Sequence, residues 1–440
     1  MKISIIGTGY VGLVTGVGFA HKGHEVICVD MIEEKVKKIN EGTPPIYEKN
    51  LDYILKTVVN DGRFKATTDI SKAIKNTELT FICVGTPSKK DGSIDTSSVE
   101  QAARDISYVL AEKKKYHVVC VKSTVTPGTT DSTVLHLLEK SGKKVSEEFG
   151  LGMNPEFLRE GVAIDDFLKP DRIVIGGYDK KSTDIISRAY DDFDSPIFKT
   201  DIRTAEMIKY VSNSLLATKI SFANEISRIC EKIGVDVYEV MDGVGLDHRI
   251  NRNFLNAGAG FGGSCFPKDV KALINFASGL DLSTCLLNSV LDVNEKQPIH
   301  LVDLLEYEID ELFEKKIALL GLTFKGGTDD VRETRALPIY QELKNRGAEV
   351  IIYEPTGYEN FSEVIQDELE AVDSVSLALK EADGCIIQND WDEFKNLSSD
   401  DFSKMKNKVI VDGRRVLNEQ NLNNDITYIG VGRGRPNPSI

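Results

Sequence analysis

A chain of 440 residues, 41% of them hydrophobic, holds enough apolar material for a large buried core and predicts two or three domains. Its formal net charge of -15 disfavours non-specific binding to nucleic acid or to an anionic membrane surface, because both need a basic face. No stretch approaches the length of a transmembrane helix, and the seven cysteines form no CxxC pair or His/Cys cluster, which argues against membrane insertion, metal sites and a disulfide framework.

The opening run Met1–Gly12 is a short apolar strand entering a glycine turn, without the basic start and long apolar stretch of a signal peptide, so the expected compartment is the cytoplasm. Over the first 200 residues short apolar strands alternate with helical patterns: KISIIG from Lys2, EVICVD from Glu25, LTFICVG from Leu79 and HVVCVKS from His117. Near-continuous β-branched runs separated by helices predict a parallel sheet covered on both faces. Next, Thr204–Ile233 runs thirty residues without Gly or Pro, with Thr204 as the expected N-cap and Gly234 as the stop. At ~1.5 Å per residue this helix would span roughly 45 Å, enough to join two domains and offer a face to another subunit.

The strand rhythm returns as KKIALLG from Lys315, AEVIIYE from Ala348, DGCIIQN from Asp383 and KVIVDGR from Lys408, and Lys22-Gly-His-Glu-Val26 is echoed by Arg346-Gly-Ala-Glu-Val350. The expected architecture is α/β, two doubly wound Rossmann-like domains joined by a long central helix. The expected division is 1–200 for dinucleotide binding, 201–300 for a central helical region, and 301–440 for a second Rossmann-like domain. Short connections near Thr200 and over 300–315 are the expected hinges, and the tail Gly430–Ile440 is expected to fray or dock loosely.

Gly7-Thr-Gly9-Tyr10-Val11-Gly12 follows directly on a strand and opens a helix, the context in which this motif carries weight. The first glycine permits the turn, the second lets backbone approach a pyrophosphate, and the third lets helix and strand pack closely. Asp30 ends the second strand, where a carboxylate accepts from an adenosine ribose and repels a 2′-phosphate. The expected cofactor is therefore NAD rather than NADP. A bare glycine turn with an exposed Asp is the alternative that the βαβ context disfavours.

In Gly260–Asp269 (GFGGSCFPKD) one thiol, Cys265, sits in a glycine-rich turn with Lys268 and Asp269 three and four residues on. Nearby N–H groups and a cation lower a thiol pKa and raise the thiolate fraction, although an isolated cysteine is more often a buried hydrophobe. FGGSCFPKD at 261–269 has company: GTGYVGL at 7–13, VGTP at 84–87 with Asp91-Gly92, NPEFLREG at 154–161, Lys209 and Asn213 on the long helix, and FKGGTDDVRET at 324–334. Together, and in this order from end to end of the chain, they resemble the UDP-glucose/GDP-mannose dehydrogenase family.

The resemblance implies a four-electron oxidation of a nucleotide-sugar alcohol to a carboxylate, with UDP-glucose expected as substrate and GDP-mannose or a UDP-N-acetylhexosamine as alternatives. It implies that Cys265 captures an aldehyde as a thiohemiacetal, which a second NAD converts to a thioester before water releases the acid. Lys209 and Asn213, four apart on one helix face, would stabilise the oxyanions. Asp269 and Glu160 would serve water activation and proton transfer, and Thr124 would order the water.

On the cofactor side the resemblance adds Lys35, Thr86, Thr124, Glu160, Lys268 and Arg332 to Gly7, Gly9, Tyr10, Val11, Gly12 and Asp30. For the UDP-sugar it points to Glu156, Phe157, Leu158, Lys209, Asn213, Arg249, Phe254, Phe261, Gly262 and Lys325, with Arg249 reaching across a homodimer. Whether NPEFLREG is helical is left open by Pro155 near its start. The turn Gly321–Thr328 lacks GxGxxG and suits a nucleotide diphosphate held by glycines and Lys325. Two departures stand out: Asn251 where the family usually has glycine, and Gly326-Gly327 where it usually reads Pro-Asn. Different functions consistent with parts of the pattern are a two-electron 3-hydroxyacid dehydrogenase, which needs no Cys265, and a non-catalytic NAD-binding module.

Overall fold

The computed structural model describes residues 1–365 and 369–434. Two compact units emerge, Met1–Ser212 and Asn213–Ile440.

In the first unit the strands are β1 (Lys2–Ile6), β2 (Glu25–Val29), β3 (Phe64–Thr67), β4 (Leu79–Ile82), β5 (His117–Val121), β6 (Phe149–Met153), β7 (Ile173–Gly177) and β8 (Ile197–Thr200). They form one sheet in the order β3-β2-β1-β4-β5-β6-β7-β8. Alternate residues of the apolar runs enter opposite cores: Ile3, Ile5 and Cys28 pack with Leu13, Val14 and Val17 of the helix Tyr10–His21, whereas Ile6, Val29 and Ile82 pack with Val99, Ala103 and Ile106. Burial on both faces is why these strands read as continuous apolar runs.

The sheet is parallel except at one step, where β6 and β7 pair antiparallel, a correction to the wholly parallel expectation. A glycine in β7 lets the long helix close on the sheet beside this step. A Cβ on Gly176 would lie 2.7 Å from the Cβ of Ala205, so the long helix packs directly on β7.

That helix runs Ile202–Ile233, two residues earlier than expected at its start. Its cap is Asp201, not Thr204: the Asp201 carboxylate accepts from the backbone N–H of Thr204 at 2.9 Å and from its hydroxyl at 2.6 Å. Thr204 is thus inside the first turn. Gly234 ends the helix as expected, at φ 77°, where L side chains are strained.

In the second unit β9 (Lys316–Leu320), β10 (Glu349–Tyr353), β11 (Glu370–Ala371), β12 (Gly384–Ile387), β13 (Val409–Asp412) and β14 (Thr427–Gly430) are ordered β11-β10-β9-β12-β13-β14, parallel throughout. The echoed words are equivalent caps. His24 N–H donates to Phe19 O and Gly23 N–H to Ala20 O, while Ala348 N–H donates to Leu343 O and Gly347 N–H to Lys344 O. Each ends a helix and turns the chain into the second strand of its sheet.

The helix Cys285–Ile309 fills most of the 300–315 hinge segment, which leaves only residues 310–315 as a connection. The expected loose tail begins docked: Val431 is fully buried and Gly432 N–H donates to Glu231 at 2.7 Å. Residues 435–440 of that tail lie outside the described residues. Among the described residues, no helix is long and apolar enough to cross a membrane.

Candidate active site

The three glycines of the first turn have different physical requirements. Gly7 sits at φ 98°, and a Cβ there would meet Cys83 O at 2.8 Å; a Cβ on Gly12 would lie 2.0 Å from Gly7 O. A Cβ on Gly9 would meet no protein atom within 4 Å. Gly9 N-caps the 12-residue helix Tyr10–His21, which has no side-chain cap and no acidic residue in its first turn. Backbone N–H groups of Tyr10, Val11 and Gly12 therefore open a helix N-terminus toward unfilled space, which fits a pyrophosphate.

Asp30 stands at the end of β2 and accepts from Thr8 N–H at 3.1 Å, Thr8 Oγ1 at 2.5 Å and Ile32 N–H at 3.1 Å. Partial burial raises its pKa, but these hydrogen bonds and the Lys35 charge outweigh it and hold the carboxyl below its usual range. Asp30 is thus an anion in place to accept from a diol. Thr86 and Thr124 are half-buried on loops after β4 and β5, and Ser123 Oγ ties those loops together through Val84 O at 2.7 Å.

NPEFLREG is not helical; it is an irregular loop between β6 and the helix Ala163–Leu168. Glu156, 7% exposed, accepts from Lys209 Nζ at 2.6 Å, and Lys209, 2% exposed, also donates to Glu156 O at 2.8 Å. Burial raises the Glu156 pKa, yet Lys209, the Leu158 N–H and the charge of Lys122 together hold it low. Phe157 lines the same corner, its ring 3.9 Å from the Arg172 guanidinium. Glu160 is only half-buried.

Two buried residues here escape sequence reasoning. Lys122, at the end of the apolar β5 run, donates to Asn154 Oδ1 at 2.8 Å; a lysine ending a wholly buried strand was the available signal. Glu48, 6% exposed, accepts from the Tyr10 hydroxyl, from Gly161 N–H at 2.8 Å and from Ala163 N–H at 2.7 Å. Its setting, PPIYEKN, is an ordinary polar loop and gives no signal.

In the second unit Cys265 is the N-cap residue of the helix Phe266–Ser278, half-buried, with Ser264 Oγ 3.5 Å from its sulfur. Asp269, fully buried one turn on, accepts from Asn213 Nδ2 at 2.6 Å and pairs with Lys268 Nζ at 2.5 Å. Instead of converging on one oxygen, Lys209 and Asn213 each engage a separate carboxylate, Glu156 and Asp269.

The turn before the thiol is built by close approach. Gly260 and Gly263 have φ 106° and 79°, and a Cβ on Gly262 would lie 2.3 Å from Glu333 O. Asn294, a third residue not picked out from sequence, clamps Phe261 by accepting from its N–H at 2.7 Å and donating to its carbonyl at 3.0 Å. Phe266 packs edge-on to both Phe254 and Phe261, at 6.2 and 6.1 Å.

Five other thiols, Cys28, Cys83, Cys120, Cys230 and Cys385, are buried, and burial pushes Cys83 up to about 12. They are poor nucleophiles at neutral pH.

The turn after β9 is less open than expected for a diphosphate. Leu322 and Thr323 N–H groups donate to the Glu354 carboxylate at 2.5 and 3.1 Å, and Gly326 N–H donates to Asp390 at 2.9 Å. Lys325 Nζ lies 5.5 Å from the Phe324 ring. Arg332 is exposed and forks onto Asp330, while its carbonyl accepts from Gly263 N–H at 2.9 Å. Arg249 is exposed and forks onto Asp247. Asn251 holds φ 61°, so asparagine supplies the left-handed conformation that a glycine adopts freely.

Three domain descriptions of the UDP-glucose/GDP-mannose dehydrogenase family match in order: NAD binding domain over 1–194, central domain over 203–296 and UDP binding domain over 318–419. The UDP-glucose 6-dehydrogenase AglM of Haloferax volcanii is 43% identical over 423 residues, 95% of this chain and 97% of that protein. A UDP-glucose dehydrogenase from Pyrobaculum islandicum superposes with a TM-score of 0.91 at 41% identity, over 98% of this chain and 97% of its own. A UDP-D-ManNAc dehydrogenase from Pyrococcus horikoshii gives 0.86 at 31% identity, over 99% of this chain and 100% of its own. Matched in all three domains and along nearly its whole length, the chain belongs to the UDP-glucose/GDP-mannose dehydrogenase family and is an NAD-dependent oxidoreductase.

Proposed function

We propose that this enzyme oxidises the C6 alcohol of UDP-glucose to the carboxylate of UDP-glucuronate: RCH2OH + 2 NAD+ + H2O → RCOO− + 2 NADH + 3 H+. Higher identity to the two UDP-glucose dehydrogenases than to the UDP-D-ManNAc enzyme supports this sugar. The observation that carries the chemistry is Cys265 at the start of a 13-residue helix, with buried Asp269 one turn on and bonded to Lys268 and Asn213.

Bound NAD supplies the hydride acceptor for both oxidations. Cys265 adds through sulfur to the C6 aldehyde, giving a thiohemiacetal whose oxidation yields the thioester, and water then displaces the thiolate as the acid leaves. Helix N–H groups and Lys268 favour the thiolate, Lys209 and Asn213 offset oxyanion charge, and Asp269, Glu160 and Thr124 handle water and protons. Arg332 joins the cofactor side; Phe157, Leu158, Phe254, Phe261, Gly262 and Lys325 hold the nucleotide sugar.

In this assignment 1–200 binds NAD, 201–300 carries the thiol and the dimer contact, and 301–440 binds the UDP moiety. Leu215, Phe222, Ile229 and Ile233 form an exposed apolar stripe along the long helix, which supports a homodimer with Arg249 reaching the partner's substrate.

With excess NAD and limiting UDP-glucose, two NADH per sugar are expected. One NADH or none from UDP-glucose, with two from GDP-mannose or a UDP-N-acetylhexosamine, would replace the substrate and keep the chemistry. Asp30→Ala should raise kcat/KM for NADP relative to NAD roughly tenfold or more, since each ~1.4 kcal/mol of like-charge repulsion relieved is tenfold. An unchanged cofactor ratio would remove Asp30 from ribose recognition.

A further inference from the structure

Glu48 lies in the loop between the helices Glu33–Asn40 and Leu51–Asn60, outside every motif read from the sequence. A carboxylate 6% exposed, and without an ion pair among the described residues, is costly to keep unless its lone pairs are filled. They are filled from two directions. Oε2 takes the Tyr10 hydroxyl and Gly161 N–H, Oε1 takes Ala163 N–H, and Gly161 N–H also reaches the Tyr10 oxygen at 3.0 Å. Tyr10 opens the helix whose N-terminus suits the pyrophosphate, and Gly161, at φ 84°, directly follows Glu160.

Capping the helix Ala163–Leu168 would need only the Ala163 and Gly161 contacts. The phenol goes beyond that cap: it accepts from Gly161 N–H and donates to Glu48, and so joins the NAD turn to the loop that carries Glu160. The phenol is firmly a donor: burial and the neighbouring Glu48 charge push Tyr10 well above the ordinary tyrosine range.

We infer that Glu48 is a positioning residue, which holds the Glu160 loop in register with the NAD-binding turn through Tyr10, Gly161 and Ala163. This rests on the proton-transfer role proposed for Glu160. In Glu48→Gln an amide –NH2 must face a donor whichever way it turns, Ala163 N–H on one side or Gly161 N–H and the phenol on the other. The loop would shift, while the NAD turn stays built by Gly7, Gly12 and the packing of Leu13, Val14 and Val17.

The test is a double-mutant cycle of Glu48→Gln and Glu160→Gln in the full-length enzyme, read by kcat at saturating NAD and UDP-glucose and by calorimetric NAD affinity. Glu48→Gln is expected to lower kcat tenfold or more with NAD Kd changed less than threefold, and to cost less than twofold further in the Glu160→Gln background. An unchanged kcat, a full additional loss in the double variant, or an NAD Kd raised by as much as kcat falls would overturn the inference. Normal turnover by Glu160→Gln alone would instead sink the role of Glu160, and the inference with it. If Glu48→Gln does not fold, Glu48→Asp, which keeps the charge on a shorter stem, runs the same cycle with the same criteria.

Discussion

Cys265→Ala is expected to abolish acid formation from UDP-glucose, with NADH release at least a thousandfold slower and NAD affinity within threefold of wild type. Three decades in rate correspond to about 4 kcal/mol of lost transition-state stabilisation, a reasonable toll for deleting a covalent nucleophile. NAD affinity should survive because the NAD turn belongs to the first unit, whose glycines and core do not include the thiol. The informative control is Cys285. It too begins a long helix, is exposed and has a hydroxyl beside it, Ser283 Oγ at 3.2 Å. It lacks the preceding glycine turn, the buried Asp269 and the lysine three residues on. Cys285→Ala should therefore leave turnover intact. Turnover by Cys265→Ala, or its loss in Cys285→Ala, would place the chemistry elsewhere.

Lys209→Met is expected to destabilise the first unit strongly. It strands the buried Glu156 carboxylate, and breaking such a pair costs about 3–5 kcal/mol. The pH dependence follows from the direction of the Glu156 shift. In the wild type its folded pKa lies below the ordinary value, so the pair stabilises above the unfolded pKa and that stability is lost as pH falls through the folded one. Without Lys209, burial is opposed by Lys122 and the Leu158 N–H alone, and the carboxyl takes up a proton more readily. The deficit measured by urea unfolding should accordingly be larger at pH 8 than at pH 5. A deficit under 1 kcal/mol at pH 8, or one that widens in acid, would show that Glu156 is not the group left unpaired.

The eight strands read from apolar runs are all present, because a strand buried on both faces must be apolar throughout and so announces itself. The antiparallel β6–β7 step was hidden, since strand direction depends on how the chain returns between Met153 and Ile173 rather than on any local pattern. Thr204 was the only cap read from the sequence; Asp201 suits a cap equally well by residue type, and geometry alone picks it out. Gly7 and Gly12 were legible from the residues, because they stand in a turn where spacing dictates geometry, whereas Cys265 stood out only through the resemblance that FGGSCFPKD helps to carry. Glu48 and Asn294 were not legible, because each acts on a segment 33 to 115 residues away, and Lys122 showed itself only as a lysine ending a buried strand. Long-range hydrogen bonds leave no periodicity in a sequence.

The NAD turn also says how such a site would be lost. Alanine at Gly7 or Gly12 is rejected by the chain itself, so any descendant that folds this way keeps both, whether or not it still binds a dinucleotide. Alanine at Gly9 meets no protein atom, so in the proposed site it would offend only the ligand. In a relative freed from cofactor duty, Gly9 would be the first of the three to drift, unseen by any assay of folding, and its identity separates a working site from a retired one.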